Sequence, residues 1–338
     1  MGQRAVLATP ALLSGSVPCV DQSKLLIRED GSILGTIGGG PLEAKVLQEA
    51  LKVTGTDKPV LLDLRLTQDE ATGAGMICGG ACTILIEPIR PGRAEEVYAA
   101  AARAEAEGTD ITLITVLPDE DSFRKLALLP NGVLVGTTGD ADTDTRVSEM
   151  AVGVKEWPCL VEEPFRICIQ PMCSPPSLYI FGAGHVAVPV AHLSQLVGFR
   201  ITVIDDRGEF ANVQRFSQAD QVLVATVSEA FGKLPIDAGA YVVVITRGHS
   251  LDEEVVAHAL RTPAKYIGMI GSRRKVATIC QRLRDRGFGE ADIARLHAPI
   301  GIYIGAETVE EIAISIVAQL VAIRRGAALA VAKPTSAF

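Results

Sequence analysis

Residues 178–206 read LYIFGAGHVAVPVAHLSQLVGFRITVIDD and decide the fold of the second half of the chain. An apolar strand leads directly into Gly182–Ala187, a G-x-G-x-x-A turn that opens a helix. In this pattern Gly182 permits the tight turn, and Gly184 lets a ligand phosphate approach the backbone. Asp205 ends the next strand, where an acid is placed to bind a ribose hydroxyl. Strand, glycine turn, helix, strand and acid in this order predict a Rossmann-like unit.

The same alternation of strands and helices continues to residue 326. Continuous apolar strands separated by helices are typical of a parallel sheet covered on both faces. The strand-like runs are Leu178–Phe181, Ile201–Ile204, Gln221–Val224, Tyr241–Thr246 and Tyr266–Ile270. The last helix begins with the capping box Thr308-x-x-Glu311. We therefore predict an α/β protein with a Rossmann-like, doubly wound parallel sheet over residues 178–326.

The first 169 residues mix short strands with two helices, predicted over Pro41–Lys52 and Ala94–Glu107. No internal repeat is evident in them, and the order is that of an α+β domain. Residues 170–177, QPMCSPPS, hold three prolines and resist both helix and sheet. We predict an α+β domain over 1–169, a Pro-rich linker over 170–177 and a tail over 327–338.

Composition excludes several classes of protein. The chain has 338 residues, 48% of them hydrophobic and 21% charged, which is typical of soluble globular proteins and not of disordered chains. A net charge of −8 disfavours nucleic acid and anionic membranes as partners. No apolar run approaches the roughly 20 residues that span a bilayer. The apolar start of the chain is short and broken by Pro10, so we expect a cytoplasmic protein.

Two further glycine turns are candidate anion sites. Gly271, Ser272 and Arg273 follow the fifth apolar strand and open a basic helix, at the edge where open α/β sheets bind ligands. Gly38, Gly39 and Gly40 run into Pro41 and a helix, which is another potential anion site, although a plain flexible turn explains them equally well.

Two histidines have both functional and structural explanations. His249 follows the fourth strand and is placed to carry a proton or contact a ligand. The alternative is a helix start capped by Ser250 and Glu253, which needs no function. His185 lies in the first glycine turn and contacts a ligand or simply packs beside it.

Seven cysteines are scattered without C-x-x-C spacing or a nearby histidine, so free thiols are expected and a zinc site is not. Cys78 differs from the others because Gly79 and Gly80 follow it, which leaves its sulfur approachable by a bulky ligand. A buried, inert thiol is the alternative, and it is the expected state of Cys82.

The carboxyl ends of the first, fourth and fifth strands meet near the point where strand order reverses. We therefore expect Gly182–His185, Arg247–His249 and Gly271–Arg273 to share one crevice. A phosphate or pyrophosphate would bind there, with the backbone N–H groups of Gly184 and Ser272 as donors and Arg273 supplying charge.

Several motifs closely resemble those of the XdhC/CoxI family. Its Rossmann domain is matched by residues 178–206, 266–275 (YIGMIGSRRK) and 297–314 (HAPIGIYIGAETVEEIAI). Its amino-terminal domain is matched by residues 14–18 (SGSVP), 35–43 (GTIGGGPLE) and 78–88 (CGGACTILIEP). The resemblance covers nearly the whole chain in the family's order.

This resemblance implies a maturation factor for molybdenum hydroxylases such as xanthine dehydrogenase and carbon monoxide dehydrogenase. Such a factor binds the molybdenum cofactor in its molybdopterin form, protects it while its terminal oxo ligand is exchanged for sulfur, and delivers it to the apo-enzyme. A cysteine desulfurase supplies the sulfur, Cys78 faces the molybdenum, and we also expect a homodimer. The candidate cofactor-binding residues are Gly38, Gly39, Gly40, Cys78, Gly79, Gly80, Gly182, Gly184, His185, Asp205, His249, Gly271, Ser272 and Arg273.

The favoured function is that of a chaperone that catalyses no reaction of its own. Two other functions compete with it. One is an NAD(P)-dependent oxidoreductase that uses Gly182–Asp205, against which the sequence offers no Tyr-x-x-x-Lys pair. The other is a scaffold that joins the sulfurtransferase to the apo-hydroxylase while the Rossmann turn stays empty.

Overall fold

The chain divides into two units, residues 1–174 and residues 175–338. A computed structural model describes residues 4–15, 17, 23–56, 58–65, 80–92, 94–117, 124–154, 159–164 and 166–327. We call residues 1–174 the amino-terminal unit and residues 175–338 the carboxyl-terminal unit.

The first antiparallel sheet of the amino-terminal unit carries one helix on one of its faces. Its described strands are β1 (Ala5–Ser14), β2 (Lys24–Arg28), β3 (Ile33–Thr36), β4 (Val60–Arg65) and β5 (Ala81–Ile89), in the order β3-β2-β1-β5-β4. Helix α1 (Gly40–Thr54) buries Leu42, Val46, Ala50 and Val53, which share one helical face. The helix predicted over Pro41–Lys52 is confirmed.

The second antiparallel sheet follows helix α2 (Glu95–Glu107). Its described elements are β6 (Ile111–Val116), β7 (Arg124–Leu128), β8 (Leu134–Val135), α3 (Ala141–Ala151), β9 (Cys159–Val161) and β10 (Ile167–Met172). The strand order is β8-β7-β6-β10-β9, which is the order of the first sheet.

The two sheets are an internal duplication of a β-β-β-α-β-β module, with β1–β3, α1, β4 and β5 matching β6–β8, α3, β9 and β10. The register agrees as well as the order. Ala8 faces Ile86 across β1 and β5, and Ile114 faces Ile169 at the matching place across β6 and β10. The expectation of no internal repeat is therefore wrong.

The Pro-rich stretch predicted as a linker over 170–177 is partly strand. β10 continues through Gln170 to Met172, and Gln170 is fully buried. Pro171 is tolerated there although it lacks an N–H, as is Pro88 of β5, which faces Val6. Only residues 173–176 separate this strand from the next one.

The carboxyl-terminal unit is built on a parallel sheet. Its strands are β11 (Ser177–Phe181), β12 (Arg200–Asp205), β13 (Gln221–Val224), β14 (Tyr241–Val244), β15 (Tyr266–Met269) and β16 (Leu296–His297). They pair in the order β13-β12-β11-β14-β15-β16. This is the 3-2-1-4-5-6 order of dinucleotide-binding folds, and it confirms the predicted fold class. The short sixth strand was not predicted.

Helices cover both faces of this sheet. They are α4 (Ala187–Leu196), α5 (Val227–Lys233), α6 (His249–Ala259), α7 (Arg273–Asp285), α8 (Glu290–Ile293) and α9 (Val309–Arg324). Tyr179 and Phe181 point into the core on one face, and Leu178 and Ile180 into the core on the other. Helix α9 begins at the predicted capping box, in which the Thr308 hydroxyl accepts from Glu311 N.

Candidate functional site

The first glycine turn closes tightly between strands β11 and β14. Gly182 has φ +110°, and its N–H donates to Ile204 O at 2.7 Å. A Cβ at this position would lie 2.3 Å from Ile245 O, so only glycine fits. The N–H of Gly184 makes no hydrogen bond among the described residues, and nothing lies within 4 Å of where its Cβ would be. The turn therefore offers a free donor and open space, and its role as a phosphate site remains a prediction.

The carboxylate of Asp205 is already occupied by this chain. It accepts from Ala183 N at 2.9 Å and from Arg207 Nε and Nη2 at 2.9 and 3.0 Å. Burial alone would raise the pKa of Asp205, but the hydrogen bonds from Arg207 and Ala183 outweigh burial and hold that pKa at about 2. A ribose hydroxyl would have to displace Arg207 to reach this acid.

A cavity of about 240 Å³ opens at the carboxyl ends of β11–β14. It is lined by Gly182, Asp205, Asp206, Arg247 and Glu254, together with two threonines and apolar side chains. Arg247 and Asp206 form a bidentate pair at its rim, with N···O distances of 2.9 and 2.8 Å. The first glycine turn and the turn after β14 thus meet in one cavity, as predicted.

Other members of the predicted crevice do not line this cavity. His185 and His249 are exposed, and neither they nor Gly271–Arg273 belong to its lining. Since β15 pairs with β14, the second glycine turn starts one strand further along the same sheet edge. A role for Gly271, Ser272 and Arg273 in ligand binding remains a prediction.

The second glycine turn begins helix α7, with the Ser272 hydroxyl accepting from Lys275 N at 3.3 Å. Lys275 forms an ion pair with the fully buried Asp252 of α6, and this pair ties the turns after β14 and β15 together. Arg273 is exposed and has no partner within the described part of the chain. A free cation therefore lies beside unbonded N–H groups at a helix N-terminus, where an anion is favoured.

The more distal arginines of α7 are held by carboxylates. Arg282 and Arg286 both pair with Glu253 of α6 at 3.2 Å, and Arg284 pairs with Glu290. The helix cap expected at Ser250 with Glu253 is therefore wrong, because Glu253 faces α7 instead. Helix α6 begins at His249 after Gly248, without a side-chain cap.

The triglycine turn lies at the start of α1 in the amino-terminal unit. Gly38, Gly39 and Gly40 all have positive φ, and the N-cap Gly39 supplies no side chain to the helix. The matching helix of the duplicated module, α3, is capped by Asp140, which accepts from Thr143 N at 2.9 Å. One module therefore fills its helix N-terminus with its own carboxylate, and the other leaves it open.

Cys78 and Gly79 lie outside the described residues, so their predicted roles rest on sequence. Gly80 is buried immediately before β5. Cys82 is 3% exposed in the core between α1 and the first sheet, as expected for an inert thiol. In the described ranges no group of three or more His, Cys, Asp or Glu side chains is arranged to hold a metal ion.

Sequence reasoning missed the ion pairs that shape the cavity. Arg207 follows Asp205 by two residues, and this spacing was a readable signal for a local pair. Asp206 and Arg247 are 41 residues apart, and only the strand order brings them together. Glu254 carried no signal at all. Among the helices described, none has the length and apolarity needed to cross a membrane.

Two family models match the chain where its motifs lie. The XdhC Rossmann domain matches residues 178–320, and the XdhC and CoxI family matches residues 1–65. The chain belongs to the XdhC and CoxI family. The second match covers β1–β4 and the triglycine turn, and the first covers both glycine turns of the parallel sheet.

The chain is also similar to curated proteins over most of its length. YqeB of Escherichia coli (strain K12), described as uncharacterized, is 29% identical over 317 residues, which is 93% of this chain. The chain spans only 42% of the length of YqeB. The molybdenum cofactor insertion chaperone PaoD of the same strain is 24% identical over 96% of this chain and 84% of its own length.

One solved structure is similar along nearly the whole chain. It is described as a xanthine dehydrogenase from Bacillus halodurans and is 26% identical, with a TM-score of 0.78. The similarity covers 99% of this chain and 94% of that one.

Proposed function

We propose that this chain takes part in the maturation of a molybdenum hydroxylase of the xanthine dehydrogenase type. It binds the molybdenum cofactor, protects it while its terminal oxo ligand is exchanged for sulfur, and inserts it into the apo-enzyme. The observation that carries the proposal is the similarity to the insertion chaperone PaoD over 96% of this chain. The name of the Bacillus halodurans protein points to the same class of client.

The cofactor in its molybdopterin form carries a phosphate, and the chain offers several anion sites. Gly184 and Ser272 have backbone N–H groups without partners in the described part of the chain, and Arg273 adds a free charge. The open N-terminus of α1 at Gly38–Gly40 is a further site. The contrast with Asp140 supports it, because the duplicated module supplies a carboxylate where this one leaves room for a ligand's anion.

The remaining parts of the proposal follow from the family. Cys78 faces the molybdenum, since molybdenum readily accepts thiolate as a ligand. A cysteine desulfurase supplies the sulfur, cofactor sulfuration and insertion take place in the cytoplasm, and the chain acts as a homodimer.

The test is to purify the protein from cells grown with molybdate and to add it to an apo-hydroxylase made without cofactor. We expect molybdenum in stoichiometric amount, a cofactor absorption spectrum, and activation of the hydroxylase that depends on the loaded protein. Activation by a molybdenum-free preparation would favour the scaffold instead. No activation by either preparation would contradict the proposed function.

Arg273→Ala should weaken cofactor binding by about 1–3 kcal/mol, the scale of a charge-assisted hydrogen bond. It should also flatten the salt dependence of binding, because one screened charge is gone. Titration of the cofactor at several salt concentrations measures both. Arg284→Ala is the matched control, because Arg284 lies on the same helix but its charge is already paired with Glu290. Equal affinity and an equal salt slope in wild type and Arg273→Ala would show that Arg273 does not contribute to cofactor binding.

NAD(H) and NADP(H) should not be oxidised or reduced at enzymatic rates with small-molecule substrates. Although the strand order suits a dinucleotide, the Asp205 carboxylate already accepts four hydrogen bonds, one from Ala183 N and three from Arg207. Absorbance at the reduced nicotinamide band, with a known dehydrogenase as positive control, measures turnover. Turnover above background would contradict the chaperone role and indicate an NAD(P)-dependent oxidoreductase.

A further inference from the structure

We infer that the cavity at the carboxyl ends of β11–β14 binds the nucleoside part of a nucleotide and that Glu254 recognises an amino group on its base. This inference deepens the proposed function, because the nucleotide is either part of a dinucleotide form of the delivered cofactor or a separate molecule such as NAD(P). Both sources share the same chemistry, a base, a ribose and a phosphate.

The walls of the cavity suit a flat aromatic ring. Six apolar side chains contribute to its lining: Phe181, Ile204, Ala225, Val227, Leu251 and Val255. Its volume of about 240 Å³ lies below the roughly 300–1,000 Å³ of sites that enclose a whole drug-sized ligand. The cavity therefore takes one part of a cofactor, and that part is a ring that gains from leaving water.

The charges at the cavity place the phosphate outside it. Arg247, the one arginine in the lining, is paired with Asp206, and Arg207 is paired with Asp205. No cation among the lining residues is therefore free to neutralise a phosphate. The unbonded N–H of Gly184 lies at the neighbouring turn and provides the anion site, so the ring enters the cavity and the phosphate stays at the turn.

Glu254 is the one carboxylate of the lining that no other group holds. It lies on α6, is half-buried, and makes no hydrogen bond or ion pair with any described residue. A carboxylate only accepts hydrogen bonds, so it favours a base edge that presents N–H donors. A base with an oxo group in that place would set an acceptor against the charge, and burial makes such a mismatch costly. Since Arg207 and Ala183 occupy the Asp205 carboxylate, Glu254 is the carboxylate of the lining that remains free to accept from a ligand, and it recognises the base.

Isothermal titration with 5′-nucleotides tests this inference in pairs that differ at the amino group. AMP is compared with IMP and CMP with UMP, because in each of these pairs an oxo group replaces the amino group. We expect at least one amino-bearing nucleotide to bind. Its oxo partner should bind at least about tenfold more weakly, because it cannot donate the amino group's hydrogen bond to the charged carboxylate. Glu254→Ala should reduce binding of the preferred nucleotide by a similar factor and remove the difference within its pair.

Controls separate recognition from folding. Glu254→Gln keeps the shape of the side chain and should lose part of the affinity, and Glu310→Ala, at an exposed glutamate of the same unit outside the cavity lining, should lose none. Melting curves check that each variant is folded. NAD⁺ as an additional probe distinguishes the sources, because tight binding of NAD⁺ indicates a separate nucleotide and weak binding indicates the cofactor's own.

Three results would overturn the inference: no nucleotide binding below about 1 mM, equal binding of amino and oxo partners, or undiminished binding by folded Glu254→Ala. These failures are distinct from failure of the proposed function. If the protein retains molybdenum but binds no nucleotide, only the present inference is contradicted. If it binds nucleotides but never carries molybdenum, the chaperone role is contradicted.

Discussion

Replacing Lys125 by methionine should lower the free energy of unfolding of the amino-terminal unit by about 3–5 kcal/mol. Lys125 and Glu87 form an ion pair between the two sheets, and both side chains are completely buried. The Thr115 hydroxyl and the Tyr98 hydroxyl also donate to Glu87, at 3.4 and 3.3 Å. The substitution leaves a buried carboxylate without its counter-charge, which is among the most destabilising single changes available to a protein.

Urea denaturation followed by fluorescence measures this loss. The chain has one tryptophan, at position 157, within residues 1–174, so its emission reports on the amino-terminal unit. Lys52→Met is the matched control because Lys52 pairs with Glu49 at the surface, where such pairs contribute under about 1 kcal/mol. Adding Glu87→Gln to Lys125→Met should recover most of the loss, since neither charge then remains. A single variant as stable as wild type would show that the pair does not stabilise the fold.

The internal duplication explains why an amide is acceptable at that place. Glu87 precedes Pro88 in β5, and Gln170 precedes Pro171 at the matching place in β10. One module thus buries a carboxylate and the other an amide at equivalent positions. Lys24 of β2 matches Lys125 of β7 in the same way, and burial, followed by repulsion from Lys125, lowers the pKa of Lys24. Both polar positions are thus shared by the two modules: the lysine is the same in each, and only the acidic position differs, with Glu87 in one and the neutral Gln170 in the other.

The carboxyl-terminal unit was predictable because its signals are local. Each strand of a parallel sheet is buried on both faces and reads as a continuous apolar run, and all five predicted runs lie within two residues of the observed strands at both ends. The sixth strand, Leu296–His297, is too short to give a pattern. The glycine turn could be predicted from the sequence because no residue other than glycine fits at position 182.

The amino-terminal unit was less predictable because its strands contain residues that usually exclude strands. Pro10 lies in the central strand β1, next to a register shift that accommodates it, and Pro171 lies in β10. Helix α3 buries only Val147 and Ala151, too few apolar positions to show a helical period. The duplication was hidden because the modules share order and register more than residue identity.

The candidate site was predictable in position but not in detail. The sequence places two glycine turns and their cations at one sheet edge, and strand order supports this. It gives no information on ion pairs between residues far apart in sequence, such as Asp206 and Arg247. Asp205 serves the fold through Arg207 and Ala183, and Glu254, which no motif marks, is left without a partner among the described residues.

Cys78→Ala should leave the purified protein without molybdenum above background. Gly79 and Gly80 follow Cys78 in the sequence, from which we predict an approachable sulfur whose thiolate form exposed backbone N–H groups would favour. Loss of a metal–thiolate bond removes the strongest single contact that the proposed site offers. Elemental analysis of protein from molybdate-grown cells, together with the cofactor's absorption spectrum, measures retention.

The interpretation depends on showing that the variant is otherwise intact. Circular dichroism and the melting curve should be unchanged, because the role assigned to Cys78 is to bind the metal and not to pack in a core. Cys173→Ala is the matched control, since it removes an exposed thiol of the same unit and should keep the full molybdenum content. Cys78→Ser, with a hard oxygen in place of sulfur, should fail like alanine if thiolate softness is what holds the metal. Full retention by Cys78→Ala would assign the metal contact to another group and leave Cys78 as an ordinary thiol.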